Sequence, residues 1–219
     1  MKSIQLAHGS GGLAMQQLID GLFMKAFANP WLAEQEDQAR LSLASLTAHG
    51  DRLAFSTDSY VIDPLFFPGG NKLAICGTAN DVAVSGAVPR YLSCGFIIEE
   101  GLPMETLEAV VNSMAETAKA ADIAIVTGDT KVVGRGAADK LFINTAGMGA
   151  IPSDIHWGAA TLTPGDLLIV SGTLGDHGAT ILNLREQLGL DGELQSDCAV
   201  LTPLIQSLRP IAGVKALRD

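Results

Sequence analysis

The sequence predicts an α/β protein, and three features carry the prediction. Apolar or alternating runs at 52–61, 90–98, 123–131 and 141–150 have the length and β-branched content of strands. Between the second and third of these, apolar residues recur at helical spacing from Pro103 onward. Glycine-containing loops, HGSGG at 8–12 and SGTLGDHG at 171–178, each open onto a further helical pattern.

Taken in order, the run His8-Gly9-Ser10-Gly11-Gly12 precedes Leu13, Met15, Leu18, Ile19, Leu22 and Phe23, a helical stripe. Free N–H groups at a helix start, with no Cβ in the way, make a phosphate cradle. A flexible leader gives the same pattern, and His8 beside it reads equally as a surface histidine. Residues 29–50 read as a connection with one short helix. The strand at 52–61 ends near Asp58, a position that also suits a turn former. Residues 63–71, rich in Pro, Gly and Asn, read as a loop.

The segment 76–87 (CGTANDVAVSGA) is built of small residues around an adjacent amide and carboxylate, Asn80 and Asp81. Its composition predicts a tightly packed helix, and Gly77 and Gly86 let a backbone or ligand come close. A carboxylate buried without a partner costs several kcal/mol, so Asp81 is expected to reach solvent or meet a cation, and the cation is the reading preferred here. The strand at 90–98 is apolar almost throughout, as a strand covered on both faces would be. The helix from Pro103 turns Leu107, Val110, Val111 and Met114 to a core and Glu105, Glu108 and Glu116 to solvent. The strand at 123–131 runs into a polar corner with Asp129 and Lys131, where α/β proteins place ligand-binding groups. Lys131 suits a phosphate or a polarised carbonyl, although a solvated lysine is its ordinary state. Residues 132–140 read as a turn, and 141–150 as the next strand.

A boundary between 1–155 and 156–219 is expected within the turn-rich stretch 152–165. Asp166 to Gly172 then reads as a strand, followed by helices near 179–188 and 199–208. A second domain begun at Asp166 is short for an independent core, so it is expected to be incomplete.

Composition narrows the function. The chain has 219 residues, 47% of them hydrophobic, and a net charge of −10 from 24 acidic and 14 basic residues. That sign argues against a nucleic acid partner, which calls for clustered Lys and Arg. No apolar run approaches the roughly 18 residues of a membrane span. Cys76, Cys94 and Cys198 have no CxxC spacing and read as small core hydrophobes in a reducing cytosol. Acidic proteins bind nucleotides through metal ions, and Asp58, Asp81 and Asp129 are hard oxygen donors of the kind Mg²⁺ takes together with substrate phosphates.

The motifs HGSGG (8–12), STDSYV (56–61), GTANDVA (77–83), GDTKVV (128–133) and SGTLGDHG (171–178) resemble those of the hydrogenase maturation family HypE. That family lies in the superfamily of aminoimidazole ribonucleotide synthetase, selenophosphate synthetase and thiamine monophosphate kinase, and the likeness runs along essentially the whole chain. The resemblance implies an N-terminal ATP-binding domain that dimerises through its sheet, here 1–155, and a C-terminal α/β domain begun at 156–219. It implies ATP-dependent dehydration of a protein C-terminal S-carboxamide to a thiocyanate, for the cyanide ligands of a [NiFe] centre. HypF is the implied carbamoyl donor, the HypC and HypD complex the implied cyanide acceptor, and the cytoplasm the implied location. By motif, Asp58, Asp81 and Asp129 go to Mg²⁺-ATP, Asn80 to nucleotide or phosphate, and Gly9, Ser10, Gly11 and Gly12 to phosphate. Lys131 is the candidate for stabilising developing charge or orienting the thiocarboxamide.

The family's Ala-Thr-Arg-Gly-Gly segment and terminal cysteine have no counterpart in these 219 residues. The chain is therefore expected to be a fragment that cannot complete turnover. The loop at Gly69 to Lys72 is also about two residues shorter than in the family pattern, which leaves Lys72 without an assigned role. Two other readings stay open: an ATP-dependent kinase or synthetase acting on a free small molecule, and a non-catalytic docking fragment.

Overall fold

A computed structural model describes residues 3–63, 72–189 and 194–219. The loop expected at 63–71 therefore falls, beyond Asp63, outside the described residues, as does most of the shortened stretch before Lys72.

The chain opens with a 3₁₀ turn at Leu6–Gly9 and a continuous helical rod: α1 (Leu13–Leu18), a π turn (Ile19–Phe23) and α2 (Met24–Ala26). A short α3 (Leu43–Thr47) follows, capped by the Ser42 side chain, which accepts from Ser45 N. Then come β1 (Arg52–Val61), α4 (Leu73–Ala83), β2 (Val88–Glu99), α5 (Met104–Ala120), β3 (Ala124–Val133) and β4 (Leu141–Ile151). Two helices, α6 (Asp176–Glu186) and α7 (Thr202–Leu208), follow, and short 3₁₀ turns at Leu32–Glu34 and Ala159–Thr161 complete the elements among the described residues.

The four strands form one sheet in the order β1-β4-β2-β3. β2 and β3 are parallel and the other pairs antiparallel. Parallel neighbours need a long crossover, which α5 supplies. The helices cover one face. Leu107, Val111 and Met114 of α5 and Ile75 and Ala79 of α4 are buried against Leu92, Phe96 and Ile143 of the sheet. The N-terminal rod adds Phe23, whose ring lies 4.9 Å from that of Phe96.

The opposite face of the sheet is open, and this corrects the expectation for β2. Its residues alternate, with Leu92, Cys94, Phe96 and Ile98 buried and Ile97 exposed, the mark of a strand covered on one side. Near-continuous apolarity arose because the open face is itself apolar: Leu53 is 56% and Phe55 64% exposed.

Two further expectations change. β3 continues to Val133, so Asp129 and Lys131 lie within the strand rather than at a corner beyond it. Residues 166–172 are not a strand. Leu167, Leu168 and Ile169 are 88%, 94% and 91% exposed, and no strand among the described residues pairs with them. Their composition suits a sheet, but a strand exists only with a hydrogen-bonded neighbour.

Candidate functional site

The site grows from the face of α4 that meets β1. A strand sends alternate side chains to one side, so Ser56, Asp58 and Tyr60 all point toward α4. Tyr60 is buried, and its hydroxyl accepts the backbone N–H of Thr78 at 3.0 Å. Thr78 and Thr145 share a 2.6 Å hydroxyl contact, and Thr145 Oγ1 donates to the Ala74 carbonyl at 3.0 Å. Burial, reinforced by the charge of Asp58, pushes the Tyr60 hydroxyl well above its ordinary range, against the hydrogen bonds from Thr78. Gly77 is glycine for a visible reason, since a Cβ there would overlap the Tyr60 hydroxyl. Sequence reasoning read Tyr60 as one more strand residue; the small residue at Gly77 was the only hint of a close approach.

Asn80 and Asp81 are adjacent but face different ways. Asp81 is solvent-exposed, and its Oδ2 accepts from Ser56 Oγ at 2.8 Å. The argument that burial obliges it to find a cation is therefore overturned, because it reaches water. Asn80 is the buried member, 4% exposed. Its Nδ2 donates to the Ala199 carbonyl at 2.9 Å and to Asp219 Oδ1 at 3.3 Å, and its Oδ1 accepts from Leu201 N at 2.9 Å. All its polar atoms thus hold the segment that leads into α7.

This fastening brings in an acid that no motif suggested. The Asp219 carboxyl is pushed above the usual carboxylate range, first by burial and then by the negative charges of Asp81, Asp197 and Asp58, against a hydrogen bond from Asn80. Asp219 therefore senses Asp81, Asp197 and Asp58. A gathering of carboxylates that raises one member's proton affinity is a donor set that a hard divalent cation fits, since the ion relieves the repulsion and takes oxygen ligands. Among the described residues, no three His, Cys, Asp or Glu side chains stand close enough to grip an ion by themselves.

Asp129 is not in this group. β1 and β3 are the two edges of the sheet, with β4 and β2 between them. Three strand spacings separate Asp58 from Asp129 by about 14 Å. They also face opposite ways. Asp58 aligns with Thr145, which packs under α4, whereas Asp129 aligns with Gly95 and through it with exposed Asn144. Lys131, two residues on, is exposed and shares the open side with its partner Ile97.

The glycine-rich loop keeps company with Asp129. A Cβ on Gly9 would lie 2.6 Å from Val132 N, so Gly9 lets the loop lie flat on β3. Ser10 Oγ donates to the Ala7 carbonyl, Gly11 takes φ +78°, and Gly12 caps α1. His8 Nδ1 accepts from Gln5 N at 2.9 Å, which tightens the turn ahead of the loop. Between the N-terminal rod and β3, a cavity of about 150 Å³ is lined by Met15, Ile19, Phe23 and Phe96, with Thr127, Asp129 and Thr130 as polar members. One chain thus carries two clusters: Asp58, Asp81, Asn80 and Asp219 at one sheet edge, and Gly9 to Gly12, Asp129 and Lys131 at the other.

Residues 35–151 match the family described as AIR synthase related protein, N-terminal domain. The carbamoyl dehydratase HypE of Escherichia coli (strain K12) is 86% identical over 221 residues, covering 100% of this chain and 66% of that protein. A crystal structure of E. coli HypE, a hydrogenase maturation protein, superposes with a TM-score of 0.90 over 94% of this chain and 64% of its own. A HypE in complex with ATP, 50% identical, gives 0.89 over 98% of this chain and 63% of its own. A HypE–HypF complex, 44% identical, gives 0.74 over 92% of this chain and 65% of that one. The chain spans just under two thirds of the length of the relatives it matches. In sheet, matched domain and identity alike, the chain belongs to the AIR synthase related family, within which its similarity is to the HypE proteins.

Proposed function

We propose that this chain is the ATP-handling part of a carbamoyl dehydratase of [NiFe] hydrogenase maturation, working as a homodimer in which each nucleotide site is shared. The observation that carries the shared site is the separation of its two clusters to opposite edges of one sheet. Packing two copies through the open face, where Leu53, Phe55 and Ile97 are exposed, buries that apolar surface. It also gives the Asp129 edge of one copy a route to the Asp81 edge of the other.

In this reading Asp58 and Asp81, with Asp219 beside them, would hold Mg²⁺ and ATP's phosphates from one side. When bound, the ion supplies neutralisation of phosphate charge. From the other copy, the N–H groups of Gly9 to Gly12 cradle phosphate, with Asp129 beside them. Asn80 orients the nucleotide edge of the site through the segment it holds. The Lys131 ammonium would offset developing negative charge on a thiocarboxamide oxygen. The chemistry needs such help: an amide oxygen leaves poorly, phosphoryl transfer converts it to phosphate, and loss of the nitrogen's two protons completes the nitrile of a thiocyanate.

The substrate is a protein C-terminal S-carboxamide, with HypF as carbamoyl donor and the HypC and HypD complex as cyanide acceptor. Support for ATP comes from the similarity to the ATP-bound HypE, and for HypF from the similarity to the HypE–HypF complex. Calorimetric titration of Mg²⁺-ATP into the chain and its Asp81→Asn variant tests the site. Affinity at least tenfold weaker in the variant is expected, and unchanged affinity would remove Asp81 from it.

A further inference from the structure

The open face of the sheet is not uniformly apolar. The strand register lines up Phe55 with Met148 in one row and Val61, Phe142 and Ile97 in another. Between them a row of different character, Ser59, Asn144, Gly95 and Asp129, runs from one sheet edge to the other. Asn144 is exposed at its middle. Its Nδ2 lies 2.9 Å from both the Asp58 carbonyl and Ser59 Oγ and 3.2 Å from Thr57 Oγ1, which ties the amide to β1. Its Oδ1 has no partner among the described residues.

Gly95, beside it on β2, is the second anomaly. A strand glycine weakens the strand and usually answers to a close neighbour. A Cβ on Gly128, Gly147 or Gly149 would come within 3.0 Å of another atom, so the fold of the chain accounts for those three. A Cβ on Gly95 would meet nothing nearer than the Asn144 carbonyl oxygen at 3.9 Å. The close approach that calls for glycine here comes from outside the chain.

The face is large enough for a second copy to supply it. Its strands are 10 to 12 residues long. At about 3.3 Å per residue and about 4.8 Å between strands, the face measures about 35 by 19 Å. Two such faces bury on the order of 1,300 Å², within the range of specific interfaces.

We propose that in the homodimer Asn144 of each copy seats on Gly95 of the other, and that this seat sets which strands oppose each other. The inference rests on the dimer of the proposed function. A two-fold axis along the strands, midway between β4 and β2, exchanges those two strands and exchanges β1 with β3. It lays the polar row of one copy on that of the other and sets the Asp129 edge against the β1 edge. Because Asn144 and Gly95 are register partners, the same axis places each amide over the other copy's glycine. Displacing the axis by half a strand spacing would set Asn144 on Asn144 or on Asp129, neither of which offers a glycine's room. The Ser93 hydroxyl, two residues before Gly95 on the same side of β2, is a donor beside the seat for the free Oδ1, which would be costly to bury unpaired. A lone polar residue in an apolar contact fixes alignment in this way.

The test measures dimer dissociation by sedimentation. Valine suits a strand and has room at Gly95 in the isolated chain, so Gly95→Val is expected to fold, with circular dichroism as the check, and to dimerise at least tenfold more weakly. Asn144→Ala, which empties the seat, weakens the dimer as well. The decisive sample is fluorescently labelled Gly95→Val with excess unlabelled Asn144→Ala. Their mixed dimer keeps one seat intact and sets the added side chain against the shortened one. It is expected to bind at least threefold more tightly than either variant's own dimer. A mixed dimer that falls short of this, or Gly95→Val dimerising as tightly as the unaltered chain, would overturn the seat while leaving the dimer standing. An unaltered chain that stays monomeric would overturn both.

Discussion

The hydroxyl of Tyr60 occupies the space that a side chain at Gly77 would need, while accepting the N–H of Thr78 at 3.0 Å. A strand and a helix are thereby held close enough for Ser56 to reach Asp81. The two positions are coupled by one contact, and coupled positions do not add. Gly77→Ala is expected to destabilise the chain by about 1–3 kcal/mol, the usual cost of overpacking. In a Tyr60→Phe background the same substitution costs less, because the obstructing oxygen is gone. Denaturant unfolding of the four proteins measures the difference.

Tyr60→Phe alone leaves Thr78 without its acceptor and breaks the run of hydroxyls to Thr145. A buried donor left unpaired costs about 1–3 kcal/mol. The expected readout is a lower unfolding midpoint with an unchanged denaturant slope.

Acid should loosen the turn after β3 before it affects the core. The Glu99 carboxylate accepts Gly136 N at 2.6 Å and Lys140 N at 3.1 Å. These two backbone bonds, the Gly136 one first, hold its carboxyl below the usual range, with Arg135 and Lys140 adding to the effect. A depressed carboxyl stabilises above its unfolded value, and the contribution is lost as pH falls through the folded one. Hydrogen exchange at Gly136 and Lys140, corrected for intrinsic rate, is expected to lose protection on acidification below that window. Glu99→Gln should show weaker protection at neutral pH and little further change on acidification.

The open sheet face predicts an assembly. Phe55, 64% exposed on the edge strand, lies on the surface assigned to a second copy. Phe55→Lys puts a charge into that contact and should shift sedimentation from dimer to monomer, without changing the circular dichroism of the fold.

Much of this fold was legible because local patterns decided it. The run 52–61 became β1 with the same bounds, and the stripe from Pro103 became α5, since alternation and helical spacing are read within a few residues. Leu167 to Val170 carry the same local signal as those strands, yet strand pairing is settled far away in sequence, and no partner lies among the described residues. The site was half legible for the same reason. Asn80 and Asp81 were singled out together, but successive helical residues point about 100° apart, so one is buried and the other meets water. Asp129 looked like Asp58 because both lie in strands; the strand order that puts them on opposite edges is not a local property. Asp219 had no motif to announce it and enters through Asn80, far back along the chain.

The central claim is that one nucleotide site takes residues from two copies. Its direct test is complementation of Mg²⁺-ATP binding by mixing Asp81→Asn and Asp129→Asn variants, each deficient alone, after unfolding and co-refolding. Random pairing makes about half the dimers mixed, each with one site free of either substitution, so about one quarter of all sites should regain unmodified affinity. Recovery of that fraction in a calorimetric titration is the predicted result. No recovery from a mixture shown to contain mixed dimers would contradict the claim and return the site to a single chain.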